Sequence, residues 1–244
     1  MNWRGCSSKC VGVILGFAFL CSAVSPATEN KVEEKAKPTG FITPQYSYDT
    51  RDFNRFSVYI SKQVSPQFQY FSFVHYNNGL GTTANGESTS TYTEQNFRYK
   101  PFEAPLDLTA QWNMLSGADN DKLRFGFRWN LSGTSFLADV FGAINMKYFV
   151  NFHILQLDAL DGFNWQVEHT YTVAVFPDVL DKRVNIVGWL DHYLGPTGSQ
   201  VISEHLVGVR LVDRAELFTE LRYNTFLAKD KFGAGFGLRY AMEI

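Results

Sequence analysis

The chain has 244 residues, of which 16% are aromatic and 19% charged, and a formal net charge of −2. So near-neutral a balance excludes the strongly basic surface that a nucleic-acid partner requires. The length suits one large all-β domain or two small domains.

Residues 1–27 read as a secretory leader. MNWRGCSSK is a short lead carrying Arg4 and Lys9, and CVGVILGFAFLCSAV is an apolar run of signal-peptide length, too short to cross a bilayer as a helix. Ser25-Pro26-Ala27 then sets small residues at the −3 and −1 positions of a cleavage site. Cys21 raises a lipoprotein reading, against which stand the bulky Phe19 and Leu20 where a lipobox wants small residues. Cys6, Cys10 and Cys21 all fall in this segment, so the mature chain has no disulfide chemistry, a mild pointer only in an oxidising compartment. Without Arg4 and Lys9, the 22 basic residues fall to 20 against 24 acidic ones. Residues 28–39, TENKVEEKAKPT, mix charges without apolar periodicity and read as a solvated arm.

From Gly40 onward, period-two alternation recurs in about twelve runs: 40–51, 54–65, 67–77, 89–100, 105–116, 121–132, 145–157, 162–176, 183–194, 200–212, 215–227 and 231–244. Turn chemistry divides them, as at Ser65-Pro66, Ala104-Pro105, Pro177-Asp178, Asp213-Arg214 and Lys229-Asp230. Two interruptions are longer. NNGLGTTANGES (77–88) has the composition of an exposed loop, and GTSFLADVFGAI (133–144) is apolar enough for a short helix.

Alternation alone does not separate a soluble sandwich from a membrane barrel; the distribution of charge between the two phases does. An Arg or Lys facing lipid at mid-bilayer costs roughly 2–4 kcal/mol, whereas a wet lumen tolerates it. In the sixth run Leu123, Phe125, Phe127, Trp129 and Leu131 oppose Lys122, Arg124, Arg128 and Asn130. The seventh sets Met146, Tyr148, Val150, Phe152 and Ile154 against Asn145, Lys147, Asn151 and His153; the ninth and eleventh behave alike. The apolar phase carries no mid-strand charge, the runs exceed the usual five or six residues, and the aromatics suit interfacial girdles. The expected fold is all-β, a transmembrane antiparallel β-barrel of about twelve strands over residues 40–244. Its last run, FGAGFGLRYAMEI, pairs with the first; Phe236, Leu238, Tyr240, Met242 and Ile244 face lipid while Gly233, Gly235, Gly237 and Arg239 face inward.

The charged and aromatic residues of the inward phase are the candidate solute contacts: Arg51, Arg55, Tyr59, Phe73, Arg98, Arg124, Arg128, Lys147, Phe149, Glu168, Trp189, Asp191, Glu204, Arg210, Glu220 and Arg222, with Arg183 and Phe226 on the same phase. A lumen of one sign selects ions of the other. A mixed lumen with rings suits a neutral amphipathic solute, which stacks and hydrogen-bonds at once. The blander reading is that these charges simply pair and fill a narrow barrel.

SYDTRDF (47–53), DGFNW with VAVFP (161–177) and the glycine-rich last run, in that order and spacing, resemble the Tsx-like nucleoside-specific channel family and its OmpK relatives. The resemblance implies a monomeric twelve-stranded barrel with a narrow, aromatic-lined lumen that passes nucleosides or similar small solutes across the bacterial outer membrane; the last run resembles the terminal recognition signal of such barrels, so the outer-membrane barrel-assembly machinery is an expected partner. Shorter loops and a final Ile244 depart from the family, and no binding residue is carried over. A general or acidic-sugar porin, a secreted β-sandwich and an outer-membrane barrel enzyme are the alternatives.

Catalytic and metal motifs are sparse. Asp191 and His192 adjoin, so a strand points them to opposite faces. His75 or His153 as base and Ser57 or Ser61 as nucleophile share the inward phase, without tight Ser/His/acid spacing. His169, His192 and His205 fall on the outward phase, and no histidine pair has ligand-like spacing, so no enzyme activity, metal or cofactor is expected.

Overall fold

The computed structural model describes residues 40–78, 89–117, 121–157, 165–195 and 198–244. The leader expected over 1–27, the arm over 28–39 and most of the glycine-rich loop at 77–88 lie outside the described residues.

Twelve strands follow in chain order: β1 (Gly40–Asp49), β2 (Phe53–Gln63), β3 (Phe68–Asn78), β4 (Thr89–Tyr99), β5 (Leu106–Leu115), β6 (Lys122–Asn130), β7 (Met146–Leu157), β8 (Trp165–Ala174), β9 (Val184–Gly195), β10 (Gly198–Val212), β11 (Ala215–Asn224) and β12 (Phe232–Tyr240). Each is antiparallel to its sequence neighbours, and β1 pairs with β12 from Gln45↔Arg239 to Asp49↔Gly235. After a break at Ala241, Met242 and Glu243 resume that pairing against Ile42 and Phe41. The sheet is therefore a closed antiparallel barrel of twelve strands, as the alternation implies. The expected runs overshoot at their ends, because alternation continues into turn residues: Val175 and Phe176 leave β8, and Thr225 to Leu227 leave β11.

Residues opposite each other in a ladder share a face, so the register fixes which side chains enter the barrel. The polarity is inverted relative to a soluble domain. Among the described residues the buried large apolar side chains are only Phe53, Val150, Leu206 and Phe218, whereas Gln45, Asp49, Arg55, Gln111, Arg124, His153, Gln166, Glu204, Glu220 and Arg222 are all buried. The outer wall exposes Phe56, Leu108, Trp112, Leu221 and Phe236. Of the described strand residues on that wall only Lys62, near the end of β2, is Lys, Arg, Asp or Glu.

Outward aromatic rings form two belts. Tyr70, Tyr99, Trp129, Tyr148, Tyr171 and Tyr240 lie toward the rim where β1 begins, hereafter the terminal rim; Tyr48, Tyr76, Trp112, Trp165 and Tyr223 lie toward the opposite rim. Tyr70 and Tyr76, like Trp165 and Tyr171, stand six residues apart, about 20 Å along a strand. Paired girdles around an apolar band are what a bilayer demands of a barrel.

β7 contains an irregularity that changes which residues face inward; a second, at Leu211 in β10, sets Val212 opposite the outward Ala215. Phe125 pairs Leu155 but Gly126 pairs His153, so Ile154 is the extra residue of a bulge. The phase then flips, and Gln156 points in where strict alternation points it out. Glycine is required opposite: a Cβ at 126 would lie 1.7 Å from the Phe152 carbonyl oxygen.

Between β6 and β7 a 3-10 turn (Leu131–Gly133) leads into α1 (Ser135–Ala143), the short helix expected at 133–144. Phe141 of α1 stacks on the outward Tyr148 with ring centroids 5.7 Å apart, and the outward Trp129 donates from Nε1 to Thr134 Oγ1 at 2.8 Å. The helix thus lies against the outer wall at the terminal rim and does not plug the lumen.

Closure gives a test of this packing. A Cβ at Gly237 would lie 2.1 Å from the Tyr46 carbonyl oxygen and 2.5 Å from Phe218 Cζ, whereas one at Gly142 meets nothing within 4 Å. Gly237→Leu is expected to cost about 1–3 kcal/mol by overpacking. The temperature at which the compact, unboiled band disappears on an SDS gel should fall for Gly237→Leu and hold for Gly142→Ala.

Candidate functional site

Toward the rim opposite the start of β1, the interior is crossed by a six-residue ionic network. Arg222 on β11 is its hub: Nη1 donates to Asp49 Oδ2 at 3.0 Å, Nη2 to Ser47 Oγ at 3.2 Å and to Glu220 Oε1, and Nε stands 3.2 Å from Glu204 Oε2. Arg55 on β2 donates from Nη2 to Glu204 Oε2 on β10 at 2.6 Å, spanning β1, β12 and β11, and lies 3.8 Å from Glu220 Oε2. Arg51, in the β1–β2 turn, grips Asp49 with two bonds of 2.8 and 2.7 Å. Phe53 underlies the group, with the Arg51 and Arg222 guanidinium carbons each 5.3 Å from its centroid. Three arginines face three carboxylates, so the network balances its own charge.

The glycines of β12 make this arrangement possible. A Cβ at Gly233 would lie 2.2 Å from Arg51 Nε, and one at Gly235 would lie 2.7 Å from Glu220 Oε1. The empty side-chain positions let Arg51 and Glu220 lie flat against the wall.

On the arc of the wall formed by β4 to β9, a second set of interior contacts is richer in neutral amides. Arg124 donates to Gln111 Oε1 and Gln156 Oε1, both at 2.8 Å, and stands 5.6 Å from the Tyr193 centroid, three strands away. Glu94 accepts from Asn96 at 2.7 Å and from the Tyr92 hydroxyl at 3.1 Å; Glu168 accepts from Asn151 at 2.7 Å; Asp191 accepts from the Tyr193 hydroxyl at 3.1 Å. Aromatic rings cluster beside it: Phe73 lies 5.7 Å from Tyr59 and 5.6 Å from Tyr92.

The terminal rim opens into a cavity of about 330 Å³ lined by Gln63, Gln67, Gln69, Arg98, Lys100, Asp107, Arg128 and Asn130. Arg128 donates from Nε to Asp107 at 2.8 Å and lies 4.8 Å from the Phe149 centroid, while Arg98 lies 5.5 Å from the Phe71 centroid. Three cations and one carboxylate leave this mouth basic.

Of the residues selected from sequence, Arg55, Tyr59, Phe73, Arg98, Arg124, Arg128, Lys147, Phe149, Glu168, Trp189, Asp191, Glu204, Glu220 and Arg222 occupy interior register positions. Arg51 reaches the network from a turn. Arg210 also holds an interior register position, opposite Glu216, and donates to the Asp181 carbonyl oxygen at 2.7 Å at the terminal rim. Arg183 and Phe226 stand in turns and are exposed, which corrects their placement on an inward strand face; β9 begins only at Val184 and β11 ends at Asn224. Phe226 still meets Tyr193 edge-on at 5.4 Å. The sequence selection passed over the inward amides Asn96, Gln111, Asn113, Asn151 and Gln166. They share the phase of their charged neighbours, and that phase is the signal that identifies them.

Two serine–histidine contacts occur that spacing did not reveal. Ser57 Oγ and His75 Nδ1 are 2.7 Å apart inside the barrel, with the His75 ring packed on Phe73 and Tyr59 and no carboxylate bonded to it among the described residues. On the outer wall His192 Nε2 meets Ser199 Oγ at 2.5 Å, while His169 and His205 pair with Tyr148 and Tyr171 at 2.7 and 2.8 Å. The outward histidines are thus satisfied by hydroxyls. No group of three or more His, Cys, Asp or Glu side chains is placed to hold a metal ion among the described residues.

An apolar outer wall, aromatic girdles and a polar interior define the class: a transmembrane antiparallel β-barrel. Among solved structures the chain is similar to the KdgM porin, with a TM-score of 0.52 and 12% identity over 82% of this chain and 98% of that one. It also aligns with an outer membrane channel from Pseudomonas putida F1, with a TM-score of 0.44 and 11% identity over 90% of this chain and 100% of that one. Compared by sequence, no family model and no curated protein matches the chain. At 12% identity the likeness to the KdgM porin is one of fold.

The hub position carries a stability test. Removing one partner of a buried ionic group leaves the others uncompensated, at about 3–5 kcal/mol. Arg222→Met strands Asp49, Glu204 and Glu220 against two arginines and should lower the midpoint of urea unfolding in detergent or lipid accordingly; Arg214→Met, whose partner Glu243 is exposed, should shift it by about 0–1 kcal/mol.

Proposed function

We propose that the protein is a bacterial outer-membrane channel for passive diffusion of small amphipathic solutes, with nucleosides as the favoured class. The observation that carries this reading is a balanced ionic network and half-buried aromatic rings on the interior face of one closed, apolar-walled barrel. Equal numbers of arginines and carboxylates in the network that crosses the interior give a simple ion little to select on. Hydrogen-bonding groups next to Tyr59, Phe73, Phe149 and Trp189 suit a flat base carrying hydroxyls. The remaining candidates, Arg98, Arg124, Arg128, Lys147, Glu168, Asp191, Glu204, Glu220 and Arg222, supply polar contacts along the path. Secretion through the 1–27 leader, assembly by the outer-membrane barrel machinery and a monomeric state accompany this reading.

A second reading, an acidic-sugar porin, draws on the basic mouth formed by Arg98, Lys100 and Arg128. Swelling of proteoliposomes distinguishes the two. Adenosine and uridine are expected to enter faster than a neutral disaccharide of similar mass, and faster than an acidic disaccharide. Preference for the acidic disaccharide would favour the second reading, and equal rates would make the protein a general porin. Absence of swelling with every solute would overturn the channel.

A further inference from the structure

Helix α1 has more apolar surface than the wall beneath it covers. Its side chains sort into three stripes. Leu137 and Phe141 are half-buried on the wall side, with Phe141 on Tyr148. Ser135, Asp139 and Gly142 form a small, polar edge. Phe136, Val140 and Ile144, spaced four residues apart, are 73%, 62% and 52% exposed.

What covers that third stripe follows from where it stands. Tyr148, on which Phe141 of α1 stacks, and Trp129, which bonds Thr134 just before the helix, belong to the aromatic belt of the lipid-facing wall, so the exposed stripe is continuous with that surface. The flanking turns of the same rim add Phe102 and Val179, 74% and 81% exposed. Nine residues make a helix of about 13 Å, too short to span a bilayer and long enough to lie in its interface. α1 contains no Lys or Arg and one Asp, so apolar burial rather than attraction to anionic headgroups must hold it there.

We propose that α1 is an interfacial membrane helix, lying in the plane of the bilayer against the outer wall. Phe136, Val140 and Ile144 enter the acyl-chain boundary while Asp139 faces headgroup water. Its occupant is lipid, and its role is to fix the depth at which the terminal rim rides in the membrane. The inference rests on the barrel being membrane-inserted but not on what the channel passes.

The test is spin-label accessibility in phosphatidylcholine vesicles, in the full chain with Cys6, Cys10 and Cys21 replaced by serine. Labels are placed at Val140→Cys, Asp139→Cys and Leu108→Cys; Leu108 is 55% exposed on the outer wall of β5. Oxygen should reach 140 and 108 in preference to a water-soluble nickel chelate, with a ratio several-fold above that at 139. If 108 is in lipid but 140 is as open to the chelate as 139, the stripe faces water and the proposal is overturned. If 140 is closed to both reagents, a second copy covers it and the proposal is overturned likewise. A chelate-accessible 108 would remove the inserted barrel itself, and the channel reading with it.

Discussion

A strand in hydrocarbon has only another strand with which to satisfy its N–H and C=O groups, and an open sheet edge there is too costly to persist. The pairing of β1 with β12 is therefore the constraint on which the rest of this molecule depends. It sets an even strand number, brings both ends of the sheet to one rim, and locks a register in which each side chain has one side to face. Once the register is locked, inverted polarity is obligatory: Leu123, Phe125 and Phe127 must meet lipid because Arg124 and Arg128 cannot.

Closure also determines how the interior is filled. A twelve-stranded barrel is narrow enough for Arg55 and Glu204 to meet across three intervening strands, yet their charges must be offset where water is scarce. The balanced set of Asp49, Glu204 and Glu220 with Arg51, Arg55 and Arg222 meets that requirement locally. The closing strand contributes by what it lacks, since Gly233 and Gly235 leave room for Arg51 and Glu220 to lie along the wall. The interior thus pairs its charges without adding side-chain bulk at the seam. Charge balance and a basic terminal mouth coexist because they lie at opposite ends of the barrel.

Much of this was legible in the sequence because a lipid-facing strand tolerates almost no charge, so the phase of Lys122, Arg124 and Arg128 betrays the face of the whole run. β4 was less transparent: its outward Thr91, Thr93 and Gln95 are polar, and Gln95 is satisfied by bonding to Tyr70 and Thr93, a pairing that only the fold reveals. The bulge at Ile154 was hidden because alternation reads smoothly through NFHILQ until Gln156 must turn inward. Contacts between distant positions, Ser57 with His75 and Arg55 with Glu204, depend on register and barrel diameter, neither of which a single strand encodes. Placing α1 on the outer wall likewise required the ring stack of Phe141 on Tyr148.

The central claim is that the paired charges form the constriction. Single-channel recording in planar bilayers tests it most directly through the double variant Arg55→Ala, Glu204→Ala, which removes one charge of each sign and so alters bore without altering net charge. The constriction predicts a larger conductance with unchanged ion preference. A conductance equal to that of the unaltered protein would contradict it.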